Sequence, residues 1–239
     1  MRGRLIKPWL LAAAACLVWA HSAAADMNDG ARAYNQGDFE TARKVFEAEA
    51  EAGNPDAQTR LAVLYLRGEG VARDPAVAAD LLEAASKAGH PPAILNLAKM
   101  YYHGIGVPQN KAQAAYWYGE AVELDEPVAM HLLSLLFMKG DGVPRNLDTA
   151  IALTRRAAEL GFLDSQYQLG LIHEQGVGVK RDPAEAYYWY FIASQSGFME
   201  AEAAARQVVE ELDEETQARM ELRASQYEPE PRKGAKTAN

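Results

Sequence analysis

The sequence predicts an all-α protein, an α-α superhelix (solenoid) of about six antiparallel helix pairs. The pattern Gly-x-Gly-Val occurs four times with a constant spacing of 36 residues. Apolar residues before each copy have helical spacing, as Ala57, Leu61 and Leu64 show. A repeat of this length that holds two short helices is typical of a solenoid, because each unit buries its apolar face only against its neighbours. The four copies begin at Gly68, Gly104, Gly140 and Gly176.

Residues 1–25 have the features of a secretory signal peptide. Three basic residues precede an apolar run of about 13 residues, which ends in an alanine-rich cleavage pattern. Cleavage after Ala25 would make the protein periplasmic or secreted. The run is shorter than the ~20 residues that a membrane span needs, so we expect no transmembrane span in the mature form. A retained anchor and a lipoprotein linked through Cys16 are alternatives. Lipidation is disfavoured because Ala13 stands three places before the cysteine, where a leucine is usual.

Each full repeat within residues 54–198 is predicted to be two helices joined by the glycine turn. Glycine ends the first helix because it accepts a positive φ without a steric penalty. Asp or Asn then begins the second helix by capping its free N–H groups. The second helix ends near a glycine that recurs at the same phase, and Asp125 is the exception in that column.

The predicted solenoid extends over residues 26–225. Residues 27–53 form a shorter N-terminal cap pair, and residues 199–225 form a C-terminal cap with a polar closing helix. Terminal repeats of a solenoid differ from inner ones because one of their faces meets water. Residues 226–239 are rich in Pro, Lys and Glu, and we expect a disordered tail there.

The repeat resembles the Sel-one-like repeat family, a branch of the tetratricopeptide-like α-solenoids. Its pattern here, from Ala57 to Asp74, is Ala-x-x-x-Leu-Ala-x-Leu-Tyr-x-x-Gly-x-Gly-Val-x-x-Asp. The resemblance covers residues 54–198 fully and 27–225 loosely. It implies an adaptor that holds other proteins together in signalling, envelope assembly or host interaction.

Composition argues against several other kinds of protein. Lys and Arg number 24 against 33 Asp and Glu, giving a net charge of −9, so the basic surface of a nucleic-acid binder is missing. A single cysteine allows neither an intrachain disulfide nor a cysteine-based zinc site. His173 and Glu174 begin a zinc-protease pattern, but Val177 stands where the second ligand is needed. We therefore expect no catalytic residues, no cofactor and no metal.

A variable stripe on the first helices is the candidate partner groove. In helical-pair solenoids the first helix lines the concave side, and this stripe mixes apolar, aromatic and charged groups as a peptide-binding surface does. The alternative is that these residues form unused surface or part of the core between repeats. The stripe comprises Thr59, Val63, Leu66, Leu95, Lys99, Tyr102, His131, Leu135, Met138, Tyr167, Leu171 and Glu174.

These features predict a non-enzymatic scaffold or adaptor of the bacterial cell envelope. It would bind a partner protein or peptide on the concave helical face, and we expect a monomer. Two alternatives stay open at this point: a hydrolase that acts on cell-wall material, and a scaffold of a polysaccharide export machine.

Overall fold

Twelve α-helices and one short 3-10 helix make up the regular structure of residues 26–232, the part of the chain that the computed structural model describes. No β-strand occurs in this part, and the predicted all-α solenoid is confirmed. The predicted signal peptide, residues 1–25, lies outside the described residues, as do residues 233–239. The helices are α1 (Met27–Asn35), α2 (Phe39–Glu51), α3 (Pro55–Arg67), α4 (Pro75–Lys87), α5 (Pro91–His103), α6 (Lys111–Glu123), α7 (Pro127–Lys139), α8 (Leu147–Glu159), α9 (Leu163–Gln175), α10 (Pro183–Gln195), α11 (Met199–Val208) and α12 (Glu214–Ser225), with the 3-10 helix at Val209–Glu211.

From α1 to α11 each helix packs against the next one along the chain, and α12 packs against α10, so the pairs stack in sequence order. The odd-numbered helices from α3 to α9 are the first helices of the four full repeats, and the even-numbered helices from α4 to α10 are the second helices. Alanines at one phase of the second helices have no solvent exposure, which lets the backbones of paired helices approach closely. These alanines are Ala78, Ala114, Ala150 and Ala186.

Side-chain caps explain where the second helices begin. The Asp74 carboxylate accepts hydrogen bonds from the backbone N–H groups of residues 76 and 77, at 3.0 and 3.2 Å. Asn110, Asn146 and Asp182 cap α6, α8 and α10 in the same way. Each cap satisfies donors that the first turn of a helix leaves free.

Asp125 is the exception in the glycine column, and the structure shows why an aspartate is tolerated there. Its φ is 59°, in the left-handed region that disfavours most residues with a side chain. Its side chain is 1% exposed, and the Arg156 guanidinium donates to it at 3.1 Å. The ion pair stabilises a residue whose backbone conformation is unfavourable.

The tail departs from the expected disorder in its first part. The Tyr227 hydroxyl donates to the carbonyl oxygen of Ala158 at 2.7 Å, and the Glu230 N–H donates to that of Glu159 at 2.8 Å. Arg232 then forms an ion pair with Glu126 at 2.8 Å. Residues 226–232 lie along the loops between repeats because they satisfy carbonyl groups at the end of α8, which composition alone does not reveal.

Candidate functional site

The first helices of successive repeats share one face of the solenoid, here called the first-helix face. Helix α3 lies beside α5, and α9 lies beside α11. The twelve residues of the predicted stripe all belong to α3, α5, α7 and α9, and their surroundings differ along this face.

At the N-terminal end, Thr59 is a structural residue. It is 6% exposed, and its hydroxyl donates to the carbonyl oxygen of Pro55 at 2.7 Å. The Thr59 hydroxyl oxygen also lies 2.9 Å from Nδ1 of His90, the residue that precedes α5, so Nδ1 is the donor in that second bond. Thr59 therefore links two repeats and offers little surface to a partner. Val63, one turn further, lines a cavity of about 150 Å³ with three other side chains, those of Tyr34, Phe46 and Arg60.

The centre of the face contains a cavity of about 160 Å³. It lies between α5 and α7, and Tyr118 of α6 reaches it from the neighbouring helix. Three residues of the stripe line it, namely Lys99, Tyr102 and Leu135. The remaining lining residues are His103, Leu132, Leu136 and Lys139.

At the C-terminal end, two stripe residues contact other side chains of the protein. The Tyr167 ring packs against those of Tyr190 and Phe198, with centroids 5.5 and 5.4 Å away. The Tyr190 hydroxyl donates to the Glu174 carboxylate at 2.6 Å, and burial, together with this contact, raises the pKa of Tyr190. Tyr167 and Glu174 are therefore held by contacts within the repeat.

The other members of the stripe have partly exposed side chains, and part of each side chain contacts other residues of the protein. His131 has its Nδ1 3.0 Å from the Ser165 hydroxyl, and burial lowers its pKa, so the neutral ring is favoured. Four apolar residues pack against the buried clusters while keeping part of their surface in solvent. They are Leu66, Leu95, Met138 and Leu171.

The charged side chains that line the central cavity are those of two lysines, Lys99 and Lys139. Among the described residues, neither Lys99 nor Lys139 has a carboxylate within ion-pair distance. Lys111 lies 5.4 Å above the Tyr102 ring and is paired with Asp141 at 2.8 Å. Burial raises the pKa of Tyr118 to about 12, so its hydroxyl stays protonated at neutral pH.

A further column of side chains caps the first helices and escaped the sequence analysis. Arg73 donates through Nε to the carbonyl oxygen of Leu66 at 2.9 Å, and Gln109 donates to that of Tyr102 at 2.9 Å. Arg145 and Arg181 make the equivalent bonds in the next two repeats. Their 36-residue spacing, and the ability of each side chain to donate a hydrogen bond, are visible in the sequence and could have identified them.

Residues 26–232 contain neither a group of metal ligands nor a membrane-spanning helix. No three or more His, Cys, Asp or Glu side chains are grouped there so as to hold a metal ion. No helix among these residues has the length and apolar character to cross a membrane.

Comparison with known proteins identifies the repeat. The family model described as Sel1 repeat matches residues 55–90, 91–126, 127–162 and 163–198. A Sel1 repeat protein from Oxalobacter formigenes is 30% identical, with a TM-score of 0.72 and 83% of each chain covered. No curated protein matches the chain.

A second solved structure is c5321, a protective antigen present in uropathogenic Escherichia coli strains that displays the same kind of fold. It is 28% identical with a TM-score of 0.71, and 83% of this chain is covered. The chain spans 44% of that longer protein. Four matched repeats cover more than half of the sequence, and repeats of this kind generally form protein–protein interaction scaffolds. The chain belongs to the Sel1 repeat family.

Proposed function

We propose that the protein is a non-catalytic scaffold of the bacterial cell envelope that binds a partner protein or peptide on its first-helix face, the concave side of the solenoid. The observation that supports this most is the central cavity, which opens between the first helices of two repeats. Its apolar floor is made by Leu132, Leu135 and Leu136. A concave, mainly apolar site with a few polar groups is the usual form of a binding pocket.

The proposed binding groove contains fewer of these residues than the predicted stripe. Thr59, Tyr167 and Glu174 are occupied by contacts within the protein, so the partner would meet the central residues. The surface we propose for binding comprises Leu95, Lys99, Tyr102, Leu135 and Met138, with His103 and Lys139 at its edge.

Capture of partners from the native envelope tests this surface. The test variant is Leu135→Gln with Lys99→Gln, and the matched control is Tyr116→Gln on α6, where the side chain is 54% exposed. We expect the test variant to lose partners that the wild-type chain and the control both retain, with unchanged helical content in all three. Equal recovery by the test variant and the wild type would contradict the proposed surface.

The proposed location depends on residues 1–25 acting as a cleaved signal peptide. Asp26 supports cleavage after Ala25, because its carboxylate accepts hydrogen bonds from the N–H groups of Asn28 and Asp29 and so begins α1. Cleavage there would keep the first helix intact. Mass spectrometry of the mature protein would show Asp26 at the N-terminus, whereas a lipidated Cys16 would support an anchored form and the export scaffold.

The absence of catalysis is also part of this proposal. Incubation of the purified protein with muropeptides distinguishes a scaffold from a cell-wall hydrolase. We expect no new cleavage products. Reproducible hydrolysis that co-purifies with the protein would overturn the non-catalytic assignment.

A further inference from the structure

The charge of the central cavity is opposite to that of the chain as a whole. Acidic residues exceed Lys and Arg by nine in the sequence, yet the residues that line the cavity include Lys99 and Lys139 and no acid. Given the binding face proposed above, we infer that this cavity binds an acidic peptide segment, with one bulky apolar side chain inserted and carboxylates beside it paired to Lys99 and Lys139.

The size of the cavity fits a single large side chain. Its volume is about 160 Å³. An apolar cavity of roughly 150 Å³ in another protein accommodates a benzene ring. The floor of leucines provides apolar contact, and the rings of Tyr102 and Tyr118 form part of the wall. A leucine, phenylalanine or tryptophan of the partner is therefore the expected anchor.

The two lysines are available for pairing with a partner. Lys139 is the last residue of α7, where the helix dipole favours a cation without any ligand. Lys99 lies a full turn before the end of α5, and the equivalent residues of the other repeats are apolar: Val63, Leu135 and Leu171. The dipole does not explain a lysine at that position, and a carboxylate from outside the chain does.

The cavity beside Val63, on the same face, differs from the central one in its charges. Arg60 lines it, but its guanidinium is already paired with Asp56 at 3.0 Å. Of these two cavities, the central one is lined by lysines that have no ion-pair partner among residues 26–232. At physiological ionic strength charges farther than about 8 Å are largely screened, so the local lysines decide which charge is attracted.

Segments of this chain are poor occupants of the cavity. Residues 226–232 lie against α8 and the loops between repeats. Residues 233–239 contain two lysines and no acid, so they would be repelled by Lys99 and Lys139. A separate acidic segment remains the complementary occupant.

Selection from a displayed library of random 12-residue peptides tests the inference on the intact mature chain. We expect the wild-type chain to enrich peptides that carry a bulky apolar residue next to Asp or Glu. The Lys99→Glu/Lys139→Glu variant should enrich basic neighbours instead. Both substitutions are at surface positions, and circular dichroism would verify that the variant keeps its helices.

Affinities of one enriched peptide provide the quantitative test. Replacing Lys99 and Lys139 together with Gln should weaken binding by about threefold to thirtyfold, as expected for the loss of two exposed ion pairs. Lys180→Gln is the control because this exposed lysine lies outside the cavity lining, and it should leave the affinity unchanged.

Failure of the inference can be told apart from failure of the proposed function. A photoreactive amino acid in place of Leu135 shows whether an enriched peptide binds in the cavity. Enriched peptides that crosslink there but lack acids, or whose affinity is the same for both lysine variants and the wild type, would overturn the acidic-partner inference alone. Enriched peptides that never crosslink at Leu135 would overturn the binding face itself. A concentration-dependent dimer that Lys99→Glu dissociates would overturn the inference in favour of a second copy of this chain.

Discussion

Replacing Gly106 with alanine tests how successive repeats are joined. Gly106 has a φ of +70°, and an added Cβ would lie 2.1 Å from the carbonyl oxygen of Pro75, the first residue of α4. Ordinary van der Waals contact of a Cβ begins at 3.4 Å, so the turn would have to move away from α4 by about 1.3 Å. The second glycine of the turn is therefore a contact between two repeats as well as a left-handed residue.

Gly89 is the matched control for this substitution. Its φ is +77°, and an added Cβ would meet nothing within 4 Å. The left-handed backbone costs a residue with a Cβ roughly 1–2 kcal/mol, so Gly89→Ala should lower the free energy of unfolding by about that amount. Forced separation of packed groups adds about 1–3 kcal/mol, which brings the expected loss for Gly106→Ala to about 2–5 kcal/mol.

Urea unfolding followed by far-ultraviolet circular dichroism measures both losses. The midpoint should fall for both variants and fall further for Gly106→Ala. Equal losses at the two positions would refute the close approach of the turn to α4. A larger loss at Gly89 would refute the reasoning altogether.

Three other perturbations probe features of the fold. Burial lowers the pKa of His173, so the folded state holds this ring neutral and stability is lost as the pH falls below about 6.5. The variant His173→Tyr should reduce that loss, measured by urea titrations at pH 7 and pH 5. An unchanged dependence of stability on pH would contradict this explanation. Arg156→Met should lower the free energy of unfolding by about 1–3 kcal/mol, less than the loss of a fully buried ion pair because Arg156 is partly exposed. Adding Asp125→Gly should recover most of this loss. A double variant as unstable as the single one would exclude the ion pair as the cause. Tyr227→Phe removes the hydroxyl that donates to Ala158 and should cost about 0.5–1.5 kcal/mol in thermal unfolding, whereas no shift would mean that the tail contact adds nothing to stability.

The repeat and its helices could be predicted because their signals are local. The spacing of the glycine turns and the Asp or Asn caps is visible in one stretch of sequence, and caps such as Asp74 were found in the expected role. The column of Arg73 and its equivalents was equally visible, but its role depends on a carbonyl seven residues earlier that only the folded turn brings close.

The groove could be predicted only in outline. Sequence phase placed Tyr167 on the same stripe as Tyr102, but Tyr167 packs against Tyr190 of α10 and Phe198, which immediately precedes α11. The exposure of a first-helix residue therefore depends on the side chains that later parts of the chain place against it. Lys139 was missed as a cavity residue because it lies one position beyond the stripe, where the helix ends.

Site-specific photo-crosslinking in the native cell envelope tests the central claim most directly. A photoreactive amino acid replaces Leu135 in the central cavity, or Tyr116 on the exposed side of α6 as the comparison. If the first-helix face holds the partner, a discrete crosslinked protein forms from position 135 and does not form from position 116. Crosslinks from position 116 with none from position 135 would contradict the claim that this face is the binding surface.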